Sequence, residues 1–171
     1  AKIKYEFLAH YWERHGTPLR ARVFANIAGL NRWGSRVAPL ANYLMSRRWV
    51  KNLAEIALGI DARREFPSFA AETFQDWFLA TGRQGDGATG RRGKVVLLDD
   101  CFLSYNYPQV GRAAVELLEK AGFQVMLGKR ECCGRPMISK GLLENARRVA
   151  RRNVEALAPL VAEGAAVVGC E

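Results

Sequence analysis

The sequence predicts an α/β protein, with a parallel βαβαβ sheet in the second half preceded by a mostly helical segment. Three observations carry this. Residues 1–80 place apolar side chains at helical spacing between glycine and proline stops. Residues 94–98, KVVLL, form a short β-branched run of the kind buried on both faces of a parallel sheet. Two further apolar runs, 123–127 and 165–168, each follow an amphipathic helix, and that alternation with short links builds a parallel sheet with covering helices.

Taken in order, Lys2 to His15 puts Ile3, Phe7, Leu8, Tyr11 and Trp12 at helical spacing, and Gly16 ends the helix. Thr17 then caps a second helix that Pro18 opens, running through Val23, Phe24 and Ile27 towards Gly29. Ser35 starts a third, to Met45. Ser46 caps a fourth, with Val50, Leu53, Ala54 and Leu58 on one side and Gly59 closing it. Pro67 breaks any helix after that, and Thr73 to Leu79 forms a last short one. The aromatic residues read as core anchors, and His10 and His15 stand apart from any polar cluster.

Residues 81–93, TGRQGDGATGRRG, read as a flexible linker. Within them Gly85-x-Gly87-x-x-Gly90 has the form of a dinucleotide fingerprint, but the strand comes after it instead of before, so the match is accidental. Beyond the first strand, Pro108 opens a helix with an apolar face of Val110, Ala113, Ala114, Leu117, Leu118 and Ala121, which Gly122 terminates. Ser139 or Gly141 begins a long helix through Leu143, Ala146, Ala150, Val154 and Leu157, with Arg147, Arg148, Arg151 and Arg152 on the wet side. The expected organisation is a helical extension over 1–80, a linker over 81–93 and a cysteine-bearing domain over 94–171. The lack of an initiator methionine, and of a helix after the third strand, predicts a fragment of a longer chain whose last domain is incomplete.

Composition narrows the function. With 171 residues, 49% hydrophobic and 25% charged, the chain is neither disordered, collagen-like nor disulfide-dense. No apolar run approaches the roughly 20 residues that cross a bilayer, and the charged start lacks signal-peptide features, so a cytoplasmic location is expected. Residues 1–92 carry 15 Lys/Arg against 8 Asp/Glu, whereas residues 93–171 carry 11 against 9. The net charge of +9 therefore sits mainly on the helical half. Its basic residues are scattered over several helices without a docking motif, so they read as solvated faces and nucleic acid is not an expected partner. No Ser/His/Asp set, paired acids or phosphate loop points to independent catalysis, and Asp99 and Asp100 read as helix-cap or loop residues.

Four cysteines, Cys101, Cys132, Cys133 and Cys170, each fall just past the carboxyl end of an expected strand, the edge where open parallel sheets bind ligands. Packing alone would suit an isolated cysteine. It suits Cys132–Cys133 poorly, because the pair sits in a polar turn, KRECCGRP. Structural disulfides do not fit a chain without secretory features. Thiolates as soft ligands for zinc or an iron–sulfur centre fit better, with Gly134 allowing close backbone approach and Arg130 and Arg135 offsetting thiolate charge. The spacing is not that of ordinary ferredoxins.

Written out, the pattern is Cys101, 30 residues, Cys132-Cys133-Gly134, 35 residues, Cys170. It resembles the cysteine-rich CCG domain of the heterodisulfide reductase B-subunit type, found also in the iron–sulfur subunits of glycolate oxidase, lactate-utilisation complexes and anaerobic glycerol-3-phosphate dehydrogenase. VLLDDCFLSYNYPQVG, ECCGRPMISKG and NARRVARRN share the likeness. AKIKYEFLAHYWERHGTPLRAR, PLANYL and GIDARREFPSFAAETFQDWF resemble the segment between a ferredoxin-like module and the CCG domain in fused FAD-linked oxidases. The resemblance implies a Rossmann-like CCG domain with Cys101, Cys132, Cys133 and Cys170 as ligands of a [4Fe–4S]-type cluster or of zinc, and Gly134 as the close-approach glycine. The family's motif continues to one further cysteine beyond the position of Cys170. The implied role is an electron-transfer module of an FAD-linked oxidoreductase acting on a 2-hydroxy acid such as lactate or glycolate, the fragment itself not catalytic. The implied partners are FAD-binding and ferredoxin-like domains of the same parent protein and a quinone or other acceptor. No transmembrane segment is implied, and peripheral membrane association is allowed. A zinc-bound structural or interaction module is the alternative.

Overall fold

A computed structural model describes residues 2–83, 92–128 and 131–170. The glycine fingerprint at 85–90 and most of the expected linker lie outside the described residues, as does Arg130. The chain forms two compact units, one of residues 1–71 with 133–150 and one of residues 72–132 with 151–171.

In the first unit, α1 (Lys2–His15) spans the expected residues. It buries no residue, and Ile3 and Phe7 stay exposed, so its apolar side is only partly covered. Trp12 instead spends its indole N–H on the Lys140 carbonyl at 2.9 Å. Gly141, at φ +73°, lies against the backbone of α1, and a Cβ there would stand 2.9 Å from the Ala9 nitrogen. The second expected helix is two, α2 (Leu19–Ala25) and α3 (Ile27–Arg36), parted at Asn26. Gly29 does not stop the helix. It leaves room for the Asn26 side chain, whose Oδ1 would lie 2.7 Å from a Cβ at that position.

The hydroxyl caps were misplaced for physical reasons too. Pro18 occupies the cap position of α2 and Thr17 does not. Ser35 lies buried inside α3, while α4 (Ala38–Met45) starts at a proline in its first turn, where the missing N–H costs nothing. Ser46 Oγ donates to the Tyr43 carbonyl at 2.7 Å and so serves the end of α4, leaving α5 (Arg48–Leu58) without a side-chain cap. Gly59 closes α5 in the left-handed conformation, as expected. The loop after it is tied back by Asn42, whose amide donates to the Phe69 carbonyl at 2.9 Å and accepts from the Phe69 N–H at 2.8 Å.

The second unit is the sheet. α6 (Phe74–Ala80) opens on a capping box, Thr73 accepting from the Asp76 N–H at 3.1 Å and the Asp76 carboxylate accepting in return. β1 (Lys94–Leu98) lies between β2 (Gln124–Leu127) and β3 (Ala166–Gly169), parallel to both, in the order β2-β1-β3. Val95 pairs with Val125 on one side and Ala166 on the other. As the KVVLL run predicts, Val95, Val96 and Leu97 are buried. A five-residue helix, α7 (Cys101–Tyr105), follows β1 and had no sequence counterpart.

The apolar stripe of α8 (Pro108–Lys120) is turned from its expected position. Gly111, Val115, Ala114 and Leu118 face the core, while Val110 and Leu117 are 47% and 69% exposed. Gly111 is the cause: a Cβ there would sit 2.6 Å from both Leu103 Cδ2 and Phe74 Cδ2, so the helix seats its barest point on those side chains. The core gathers Phe74, Phe78, Leu97, Leu103, Val115 and Val125. Burying each phenylalanine contributes about 1.5–3 kcal/mol. α10 (Leu143–Ala162) follows the short α9 (Arg135–Ser139), which was also unexpected. Its arginines at 147, 148, 151 and 152 are exposed and Ala146 is buried as read, but Val149 is buried while Val154 is exposed.

Candidate metal centre

The sheet order decides which thiols share an edge. Because all three strands are parallel and adjacent, their carboxyl ends lie along one side of the sheet. Cys101 follows the central strand, Cys132 follows β2 and Cys170 directly follows β3. Cys101 and Cys170, far apart in sequence, thus stand just past the ends of adjacent strands at one side of the sheet, while Cys132 lies five residues beyond the end of β2. Cys133, next in the chain, begins the other unit's second segment and is exposed. None of the four forms a disulfide. Among the described residues, no group of three or more His, Cys, Asp or Glu side chains is arranged to hold a metal ion.

Each thiol has a distinct setting. Cys101 is buried as the first residue of α7, behind its cap Asp100. The Asp100 Oδ1 accepts from the Phe102 and Leu103 N–H groups at 2.8 and 2.9 Å, the cap role read from the sequence. Its neighbour Asp99 is buried, accepting from Gln75 Nε2 and from Ser104 Oγ. Cys170 packs against the core cluster, and burial raises its thiol above the ordinary value, with the Asp100 carboxylate adding to the rise. Ligation takes the thiolate, so a metal bound at Cys170 displaces a proton that this setting otherwise retains.

Gly134 is the cap residue of α9 at φ +80°, ψ −10°, a conformation that favours glycine. A Cβ there would meet nothing nearer than the Ala146 carbonyl oxygen at 3.8 Å. Conformation, not crowding, thus requires the glycine in this structure. Arg135 opens α9 and is exposed. Sequence reasoning assigned no role to Asn153, which holds the polypeptide at Glu131 and Cys132. The only signal for it was its place at the end of NARRVARRN.

The donor set fits a soft metal or an iron–sulfur centre by its chemistry, being all thiol with no competing disulfide. Residues 95–170 match the model of the cysteine-rich domain family CCG. The chain is similar to an anaerobic glycerol-3-phosphate dehydrogenase subunit from Escherichia coli (strain K12), 35% identical over 121 residues that cover 70% of this chain and 30% of that protein. It is also similar to lactate utilization protein A of Halalkalibacterium halodurans, 38% identical over 66 residues, 38% of this chain and 27% of that one. The likeness to a fumarate reductase (CoM/CoB) subunit from Methanothermobacter marburgensis is 29% over 105 residues, covering 57% and 20%. The chain thus spans 30% or less of the length of these relatives, two of which are named as subunits of oxidoreductases. No solved structure matches the chain. Outside the CCG stretch, the likeness to the first relative reaches into the helical half, since its 121 residues exceed the 76 of the domain match.

Proposed function

We propose that the chain is an iron–sulfur electron-transfer module of a larger oxidoreductase. The observation that carries this is the place of Cys101 and Cys170 just past the carboxyl ends of adjacent parallel strands, with Cys132 following the third, inside a stretch that matches the CCG family model. Cys133 adds the fourth thiolate through its peptide bond to Cys132. A [4Fe–4S]-type cluster would supply one-electron chemistry there. The residues of this chain hold it and set its surroundings. Cys170, packed on the core of the sheet unit, and the buried Cys101 provide an apolar flank, and burial of that kind shapes a centre's potential.

The parent activity we infer is oxidation of a small hydroxylated acid or phosphate ester by an FAD-bearing part, whose electrons pass through this module to a quinone or other acceptor. The names of the relatives, a glycerol-3-phosphate dehydrogenase subunit and a lactate utilization protein, support that class. Partner domains meet the helical half. On α5, Trp49, Leu53 and Ile56 recur on one exposed face, and residues 1–92 carry 15 basic against 8 acidic groups in sequence. An exposed apolar face on a half of the chain with net positive charge suits a partner surface with an acidic rim. Among the described residues no helix is long and apolar enough to cross a membrane.

Iron, sulfide and zinc analysis with EPR on the anaerobically purified chain tests the reading. Stoichiometric iron and sulfide with a paramagnetic signal, lost in Cys101→Ser and Cys170→Ser, is the expected result. Zinc without iron would overturn the electron-transfer role and leave a structural thiolate site.

A further inference from the structure

The backbone of the segment that carries the vicinal cysteines is bonded by a side chain of α10, Asn153. The Asn153 Oδ1 accepts from the Glu131 N–H at 2.7 Å, and its Nδ2 donates to the Cys132 carbonyl at 2.9 Å. Only this orientation of the amide matches a donor with an acceptor on both sides. The Cys132 carbonyl belongs to the peptide plane that joins Cys132 to Cys133, so the second bond restrains rotation of the plane from which both cysteines spring. The first bond holds the plane before Glu131. Together they bracket two residues of chain from outside and use both functions of one short, stiff side chain. The same device recurs at Asn42 and Phe69, which shows how little reach it needs.

The adjacent Arg152 is a natural contrast. Its guanidinium donates to the Glu131 carboxylate at 2.7 Å, but both side chains are about half exposed, and such pairs contribute little. It also touches a side chain and leaves the backbone of the cysteines untouched.

We propose that Asn153 is the positioning residue of the vicinal-cysteine turn, its amide setting the Cys132–Cys133 peptide in the orientation from which the thiols ligate a metal. This rests on the metal-binding reading above. It assigns Asn153 a task beyond ligation: a ligand's orientation is set before the metal arrives, and outer residues of this kind are worth about 10–100-fold in metal affinity.

The test compares Asn153→Leu, Asn153→Asp and Arg152→Ala in the anaerobic chain. Cobalt(II) is titrated as the probe and read by its thiolate charge-transfer absorption, and exchange of the Glu131 amide hydrogen is followed by NMR without metal. Asn153→Leu should lose protection of that hydrogen and bind cobalt about 10–100-fold more weakly. Asn153→Asp keeps the acceptor, so protection should persist, yet its second oxygen faces the Cys132 carbonyl and affinity should still fall. Arg152→Ala should stay within about threefold of the parent chain. Urea unfolding of each variant identifies any that fail to fold, and the Asp variant preserves shape if the Leu variant does not. Cobalt binding by a folded Asn153→Leu chain at parental affinity would overturn the positioning role alone. A parental chain that takes up neither cobalt nor iron would overturn the metal reading itself, and this inference with it.

Discussion

Replacing Gly134 by alanine separates two reasons for a glycine beside Cys133. The backbone there stands at φ +80°, ψ −10°, and a Cβ would find only Ala146, at 3.8–3.9 Å, which is ordinary contact. No steric term is therefore added to the conformational one. Holding an L-residue in the left-handed region costs about 1–2 kcal/mol, and asparagine tolerates it better than alanine. With a urea dependence of about 1–3 kcal/mol per molar, the unfolding midpoint of metal-free Gly134→Ala should fall by about 0.3–2 M. Gly134→Asn should lose less. Tryptophan fluorescence and far-UV circular dichroism across a urea series read both. An unshifted midpoint in Gly134→Ala, or an equal loss in both variants, would refute the conformational argument. If Gly134→Ala shows the expected shift yet takes up no iron, close approach of a bound cluster to the backbone is the additional requirement.

Gly111→Val should destabilise the sheet unit by about 1–3 kcal/mol or more through overpacking, because even a Cβ would stand 2.6 Å from Leu103 and Phe74; differential scanning calorimetry against Gly111→Ala grades the effect. The thiol of Cys170 should react with iodoacetamide more slowly in the folded, metal-free chain than in urea near pH 8.5, since burial and Asp100 favour its neutral form. The sign for stability follows: the contribution is full below the ordinary thiol pKa and is lost as pH rises through the raised folded value. Asp100→Asn retains a helix cap while removing the charge, so it should bring Cys170 part of the way back. Mass spectrometry of peptides alkylated over a pH series measures both.

Periodicity and stop residues are enough to delimit α1 and β1 and to end α5, because these boundaries fall at a glycine or at an abrupt change from helical spacing to a β-branched run. The serines at 35 and 46 misled because a hydroxyl can serve the end of one helix, or lie within one, as readily as it caps the next. Two five-residue helices, α7 and α9, are too short to show a period. The stripe of α8 was misread by one position, since periodicity counts side chains and Gly111 acts by having none.

For the candidate centre, chain order alone determined that four cysteines follow apolar strand-like runs and that a CCG pattern is present. Local patterning could go no further, because it says what each segment becomes and not what it meets. That β1 lies between β2 and β3, so that Cys101 and Cys170 follow neighbouring strands at one edge, is a matter of pairing between residues 30 and 71 apart in sequence, which only tertiary structure decides. The same holds for α6. Phe74 and Phe78 read as one apolar side of a helix whatever covers it, and the fold assigns that side to the sheet because the gap left by Gly111 admits Phe74 there. Asn153 is the last case: an exposed-looking polar residue in an arginine-rich helix becomes the bracket of Cys132 only when α10 brings it to the turn.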